Sequence, residues 1–155
     1  MAKVKKIMLT SVTTLKKDAK TRDAAKILCS SSAGCIVVVD DKKPVGIITG
    51  RDIVKGLSQQ PTILKEPVSR IMATPATMDS CLKIDEALKI IDTKRFRHYP
   101  VVENGQLVGL ATKKDVVNYM SNNIRLHRNI QDLVLVLFVL FELFIFVIAR
   151  HSPFG

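Results

Sequence analysis

The 155-residue sequence has no tryptophan and only two tyrosines, Tyr99 and Tyr119, which stand apart. That removes the aromatic platform on which single-stranded nucleic acids stack. Cysteine is scarce: Cys29, Cys35 and Cys81 are odd in number, widely spaced and form no CxxC. His98, His127 and His151 do not join them in a ligand spacing. A disulfide framework and a zinc site are therefore not expected, and a reducing cytoplasmic interior is the default. No Ser-His-Asp set, P-loop or paired carboxylates at working spacing can be read, so an enzyme ranks third among the function classes. The first residues are basic, but no apolar run of useful length follows them, so no secretory signal is expected.

Acidic residues are also few, 14 against 24 lysines and arginines, and the formal charge is +10. Such a balance suits small anionic ligands, nucleic acid or an acidic membrane surface. The basic residues are spread along residues 3–128 rather than gathered in one arm. No zinc-finger, RNP-type or basic-zipper pattern accompanies them.

Apolar residues make up 47% of the chain and are unevenly placed, since 17 of them fall in the last 23 positions. Residues 133–149 are apolar at every position except Glu142. As a helix this run spans about 25 Å, just short of a bilayer's hydrocarbon core. Three readings stand: a tail anchor that brings the basic domain to anionic lipid, a helix or strand buried in an oligomer, or a segment foreign to the domain. Residues 123–155 are accordingly set apart as a basic linker and a hydrophobic C-terminal helix.

The remainder repeats itself. Residues 35–53 lie over residues 98–116 at an offset of 63 without a gap. Six of nineteen positions are identical: Val38/Val101, Val39/Val102, Val45/Val108, Gly46/Gly109, Thr49/Thr112 and Asp52/Asp115. Ile7-Met8 answers Ile71-Met72 upstream. Two copies, residues 4–60 and 61–122, are expected. Each reads as strand, helix, strand, strand, helix, which is an α+β fold built as an α/β sandwich with pseudo-two-fold symmetry. Apolar spacing predicts a helix over Ala24, Ile27 and Leu28, and another over Ile84, Ala87, Leu88 and Ile91. Thr21 is the expected N-cap of the first. Asn104-Gly105 predicts a type I′ hairpin, and residues 40–43 a looser turn.

Each copy carries Gly-h-h-Thr-x-x-Asp where a strand gives way to a helix: Gly46 to Asp52 and Gly109 to Asp115. A capping box worth roughly 1 kcal/mol would by itself account for the threonine and the aspartate. The same turn has chemical uses. Free N–H groups and the positive end of the dipole at a helix N-terminus suit a phosphate. The hydroxyl can reach that phosphate or a ribose oxygen, the carboxylate can accept from a ribose diol, and the flanking apolar strands can sandwich a purine.

Together with the Ile-Met pairs, His98-Tyr-Pro-Val-Val102 and the constant offset, these turns resemble a tandem pair of cystathionine-β-synthase-type (CBS) domains, a Bateman module, over about residues 4–120. The resemblance implies adenosine nucleotide ligands (AMP, ADP or ATP) in clefts between the copies, no catalytic cofactor, a homodimer, and regulation of an unidentified partner protein. It implies one cleft from Thr49, Arg51 and Asp52 with Arg97, His98, Tyr99 and the stretch near Ala76. It implies another from Thr112, Lys113 and Asp115 with Gly34, Cys35, Ile36 and the stretch near Thr13. The first, with Arg97, His98 and Arg51, is expected to hold anions more tightly. One departure from the family pattern is Val37, which stands where the second copy has Pro100. The competing reading is a structural or nucleic-acid-binding scaffold whose turns are caps only.

Overall fold

The computed structural model describes residues 2–30, 33–94 and 96–151, with no account of the side chains of residues 123–128, 144 and 147–151. It forms two units, residues 1–117 and 118–155. The first unit holds both repeats. Copy one contains β1 (Thr14–Lys16), α1 (Thr21–Ser30), β2 (Ile36–Asp40), β3 (Lys43–Ile48) and α2 (Gly50–Gln59). Copy two contains β4 (Met78–Asp79), α3 (Ile84–Lys94), β5 (His98–Glu103), β6 (Gln106–Thr112) and the start of α4 (Lys113–His151). Each copy has a three-stranded sheet, ordered β1-β2-β3 and β4-β5-β6, whose first pair is parallel and second antiparallel. The α+β architecture and its duplication are those expected.

Both hairpins close with two-residue turns. Asn104 and Gly105 take φ of 51° and 78°, as a type I′ turn requires. The looser turn expected in copy one is a correction: Asp41 and Lys42 take φ of 46° and 65°, equally tight and without glycine. A tertiary bond helps to hold this left-handed pair, because the Leu107 N–H donates to the Lys42 carbonyl at 2.8 Å across the copies. Val37, the departure from the family pattern, donates its N–H to the Thr13 carbonyl at 3.0 Å. A proline has no such donor, so valine adds a ladder bond rather than disturbing the strand.

The Ile-Met leaders are exchanged between the copies. Residues 66–73 run along copy one: Val68 N–H donates to Ala19 O at 2.8 Å, and Ile47 and Ala73 exchange N–H···O bonds of 2.9 Å. Residues 2–9 do the same on copy two: Val4 N–H donates to Leu82 O at 2.9 Å, and Leu9 and Leu110 exchange bonds of 2.8 Å. Val68 is fully buried and completes the core of copy one with Ala24, Ile36, Val38, Ile48 and Ile53. This exchange corrects the reading of Thr21 as an N-cap. Thr21 is the first helical residue and fully buried, and both its N–H (2.9 Å) and its Oγ1 (3.0 Å) donate to the Glu66 carbonyl in the crossing leader.

In the second unit, the apolar side chains described between Leu133 and Phe146 are 47–63% exposed on every face of α4. Among the described residues no helix is long and apolar enough to cross a membrane.

Candidate functional site

β3 ends at Ile48, and Thr49 leaves the sheet with φ −123° and ψ 167°, an extended conformation that turns the chain into α2. Asp52, one turn in, accepts twice on Oδ2: from the Thr49 N–H at 2.8 Å and from Thr49 Oγ1 at 2.7 Å. Oδ1 makes no hydrogen bond among the described residues and stays available to a ligand. Copy two repeats the arrangement. Asp115 Oδ2 accepts from the Thr112 N–H at 2.9 Å and Thr112 Oγ1 at 2.6 Å, and the Asp115 N–H donates to Thr112 Oγ1 at 3.2 Å.

A cavity of about 570 Å³ opens at the first turn. Its wall draws on both copies: Thr49, Gly50, Arg51 and Asp52 at the turn into α2, and Phe96, Arg97 and His98 where the chain enters β5. Ile47, Ala73 and Gly34 complete it. The exchanged leader explains the company, since the Ile47–Ala73 bridge carries residue 73 across to copy one. Apolar Ile47 and Ala73 face a rim with two guanidinium groups, those of exposed Arg51 and Arg97. The N-terminus of the ten-residue α2 adds its unpaired N–H groups on the same side. Such a cavity accepts a flat apolar group with an anionic and hydroxylated extension.

His98 is half-buried in this wall. Burial chiefly, with Arg97 beside it, lowers its pKa from the ordinary imidazole value of 6.5, while Asp115 pulls the other way. Cys35 is buried, and burial pushes its thiol up to about 11, so it is protonated and inert at neutral pH. Tyr99 is fully buried and makes an edge-on contact with Phe96 at 6.5 Å between ring centroids. Burial raises the pKa of its hydroxyl.

The structure thus gathers Thr49, Arg51, Asp52, Arg97 and His98 around one cavity. Gly34, grouped in sequence with the second turn, lines this first cavity instead, as its position opposite the His98 imidazole requires. Ala76 lies outside the lining, where Ala73 stands nearer the sheet. Tyr99 and Ile36 are fully buried and do not line the cavity, Ile36 lying in the core of copy one. Thr13 meets β2 through its backbone carbonyl. Around the second turn, Lys113 donates its N–H to the Arg97 carbonyl at 3.1 Å, tying the start of α4 to the start of β5. Sequence reasoning missed Ile47, Gly50, Ala73 and Phe96. The signal was present for Ile47, the residue of β3 that precedes core-facing Ile48. Among the described residues, no group of three or more His, Cys, Asp or Glu is arranged to hold a metal ion.

Two β-α-β-β-α copies with exchanged leaders, a Thr-x-x-Asp turn in each, and a cavity joining one turn to the other copy define a tandem-repeat module of the Bateman class. The CBS domain family profile matches residues 4–59 and 68–122, and the chain belongs to that family. It is 30% identical over 124 residues to the CBS domain-containing protein YhcV of Bacillus subtilis, covering 79% of this chain and 89% of YhcV. The chain spans 45% of another relative, MK0525 of Methanopyrus kandleri, to which it is 36% identical over 88 residues. Among solved structures, the CBS domain pair of MJ0100, in complex with 5′-methylthioadenosine and S-adenosyl-L-methionine, superposes with a TM-score of 0.69. It is 27% identical, over 79% of this chain and 98% of that one. The CBS domain protein PAE2072 of Pyrobaculum aerophilum, complexed with AMP, gives a TM-score of 0.67 at 25% identity, over 74% of this chain and 89% of that one.

Proposed function

We propose that the chain is a non-enzymatic regulatory module that binds an adenosine nucleotide of the AMP, ADP or ATP type in the cleft at Thr49–Asp52. The observation that carries this reading is the composition of the cavity. Its lining offers the Thr49 hydroxyl and the Asp52 carboxylate for a ribose, Arg51, Arg97 and His98 for a phosphate, and apolar Ile47 and Ala73 for a base. The AMP held by PAE2072 and the adenosyl compounds held by MJ0100 point to the same ligand chemistry. The Thr112–Asp115 turn, with Lys113 and Lys114, is the weaker second site. Occupancy alters how the two copies sit together and passes to a second copy of the chain or to a partner protein.

Calorimetric titration with AMP, ADP and ATP tests the proposal, with S-adenosyl-L-methionine, a net cation without a phosphate, as the comparator. The phosphate-bearing ligands are expected to bind, and more tightly than the adenosyl sulfonium, because Arg51 and Arg97 repel a cation. Absence of binding by every nucleotide overturns the reading. Tight, steeply salt-dependent RNA binding that AMP does not compete would replace it with the scaffold reading.

A further inference from the structure

His98 occupies an unusual position. Its imidazole lines the first cavity with Arg51, Arg97 and Asp52. On another side it meets Gly34, where an added Cβ would lie 3.1 Å from Nε2. From α4 it feels the carboxylate of Asp115, which belongs to the second Thr-x-x-Asp turn. The charged and titratable groups around it are therefore Arg97 on its own strand, Arg51 and Asp52 from α2, Asp115 from α4, and the neighbouring buried Cys35 thiol.

We propose that His98 is the proton-taking contact of the first cleft, so that a phosphate bound there draws a proton onto the imidazole and the cleft reads pH together with nucleotide. This rests on the cleft reading above. Two arginines fix a permanent positive charge at the cavity rim, and permanent charges cannot respond to pH. His98 is the wall residue whose charge changes between pH 5 and 8. In the empty cavity, burial and Arg97 favour its neutral form. An incoming phosphate supplies the opposite charge that burial had withheld, and the charged imidazole becomes the favoured form. Asp115 biases the same equilibrium in the same direction, so the state of the second turn bears on the first cleft through this one ring.

The sign follows directly. Below the lowered pKa of the empty state His98 is charged with or without ligand, and affinity is at its highest. As pH rises above that value, binding must recruit a proton and affinity falls. Above the pKa of the occupied state it levels off. Each unit by which the phosphate raises the imidazole pKa is a tenfold span of affinity. The nucleotide's own second ionisation, near pH 6, works against this fall, and a variant lacking the imidazole separates the two.

The experiment is calorimetry of AMP binding between pH 5.5 and 8.0, for wild type and His98→Gln, in buffers of different ionisation heat. Wild type is expected to take up a fraction of a proton near pH 6.5, and its affinity relative to His98→Gln should fall three- to tenfold across the range. The buffer dependence of the heat reads the net proton change, and the difference between wild type and His98→Gln isolates the share of the imidazole from that of the phosphate. Adenosine, which lacks the phosphate, should bind with no such uptake. AMP binding with equal proton uptake and parallel pH profiles in both proteins overturns the role of His98 and leaves the cleft reading standing. Failure of wild type to bind either AMP or adenosine overturns both.

Discussion

Replacing Asp52 with alanine is expected to weaken AMP binding by about 5- to 150-fold, the 1–3 kcal/mol of a charged hydrogen bond. Asp52 Oδ2 is already engaged by Thr49, through its N–H at 2.8 Å and its Oγ1 at 2.7 Å. The pair of bonds holds the carboxylate at the cavity wall, and the second oxygen is what a ribose diol would find. The loss has two parts, the missing acceptor and a Thr49 hydroxyl freed to rotate. Asp52→Asn divides them, because the amide oxygen can still accept from the Thr49 N–H while the charge is gone. Titration of the two variants against wild type measures the effect. The loss of a capping interaction also costs stability, about 1 kcal/mol, which thermal unfolding reads separately. Equal AMP affinity for wild type and Asp52→Ala would reduce the turn to a helix cap.

Gly109→Ala is expected to destabilise the domain by about 1–3 kcal/mol, the usual cost of overpacking. An added Cβ would lie 2.6 Å from Met8 Sδ and 2.9 Å from the Leu9 carbonyl oxygen. The methionine can swing aside. The carbonyl cannot, because it accepts the Leu110 N–H at 2.8 Å in the bridge that anchors the exchanged leader. The penalty is therefore paid in leader docking, and thermal unfolding should show a Tm lower by several degrees. Gly46 makes the matching approach to Met72 in copy one, where the three nearest atoms are the methionine's Sδ, Cγ and Cβ and none is a backbone carbonyl, so Gly46→Ala should cost less. An unchanged Tm for Gly109→Ala would mean that residues 2–9 do not dock on β6.

These two positions show where the sequence was legible. Gly46 and Gly109, like Thr49 and Thr112, announce themselves by duplication, because a physical requirement that occurs twice leaves the same residue twice. The strands, the helices and the Thr-x-x-Asp geometry follow from local pattern and turn chemistry. The exchange of leaders does not. Ile7-Met8 and Ile71-Met72 mark the leaders, but nothing local says that each crosses to the other copy, and Thr21 was read as a cap because its true partner, Glu66, is 45 residues away. The same exchange put Ala73 rather than Ala76 in the cavity wall. Lys42, with φ of 65° and no glycine to announce it, was illegible for the same reason: a contact with Leu107 of the other copy bears on its conformation. The apolar run of α4 was legible as a helix, but its composition says what it avoids and not what covers it.

The most direct test of the central claim is a backbone amide NMR titration of the full chain with AMP. A ligand in the cavity between the first turn and the start of β5 is expected to shift the amides of Ile47, Thr49 to Asp52, Ala73 and Phe96 to His98 together, with one binding constant. Shifts confined to exposed lysines, or no saturable shift at those positions, would contradict it.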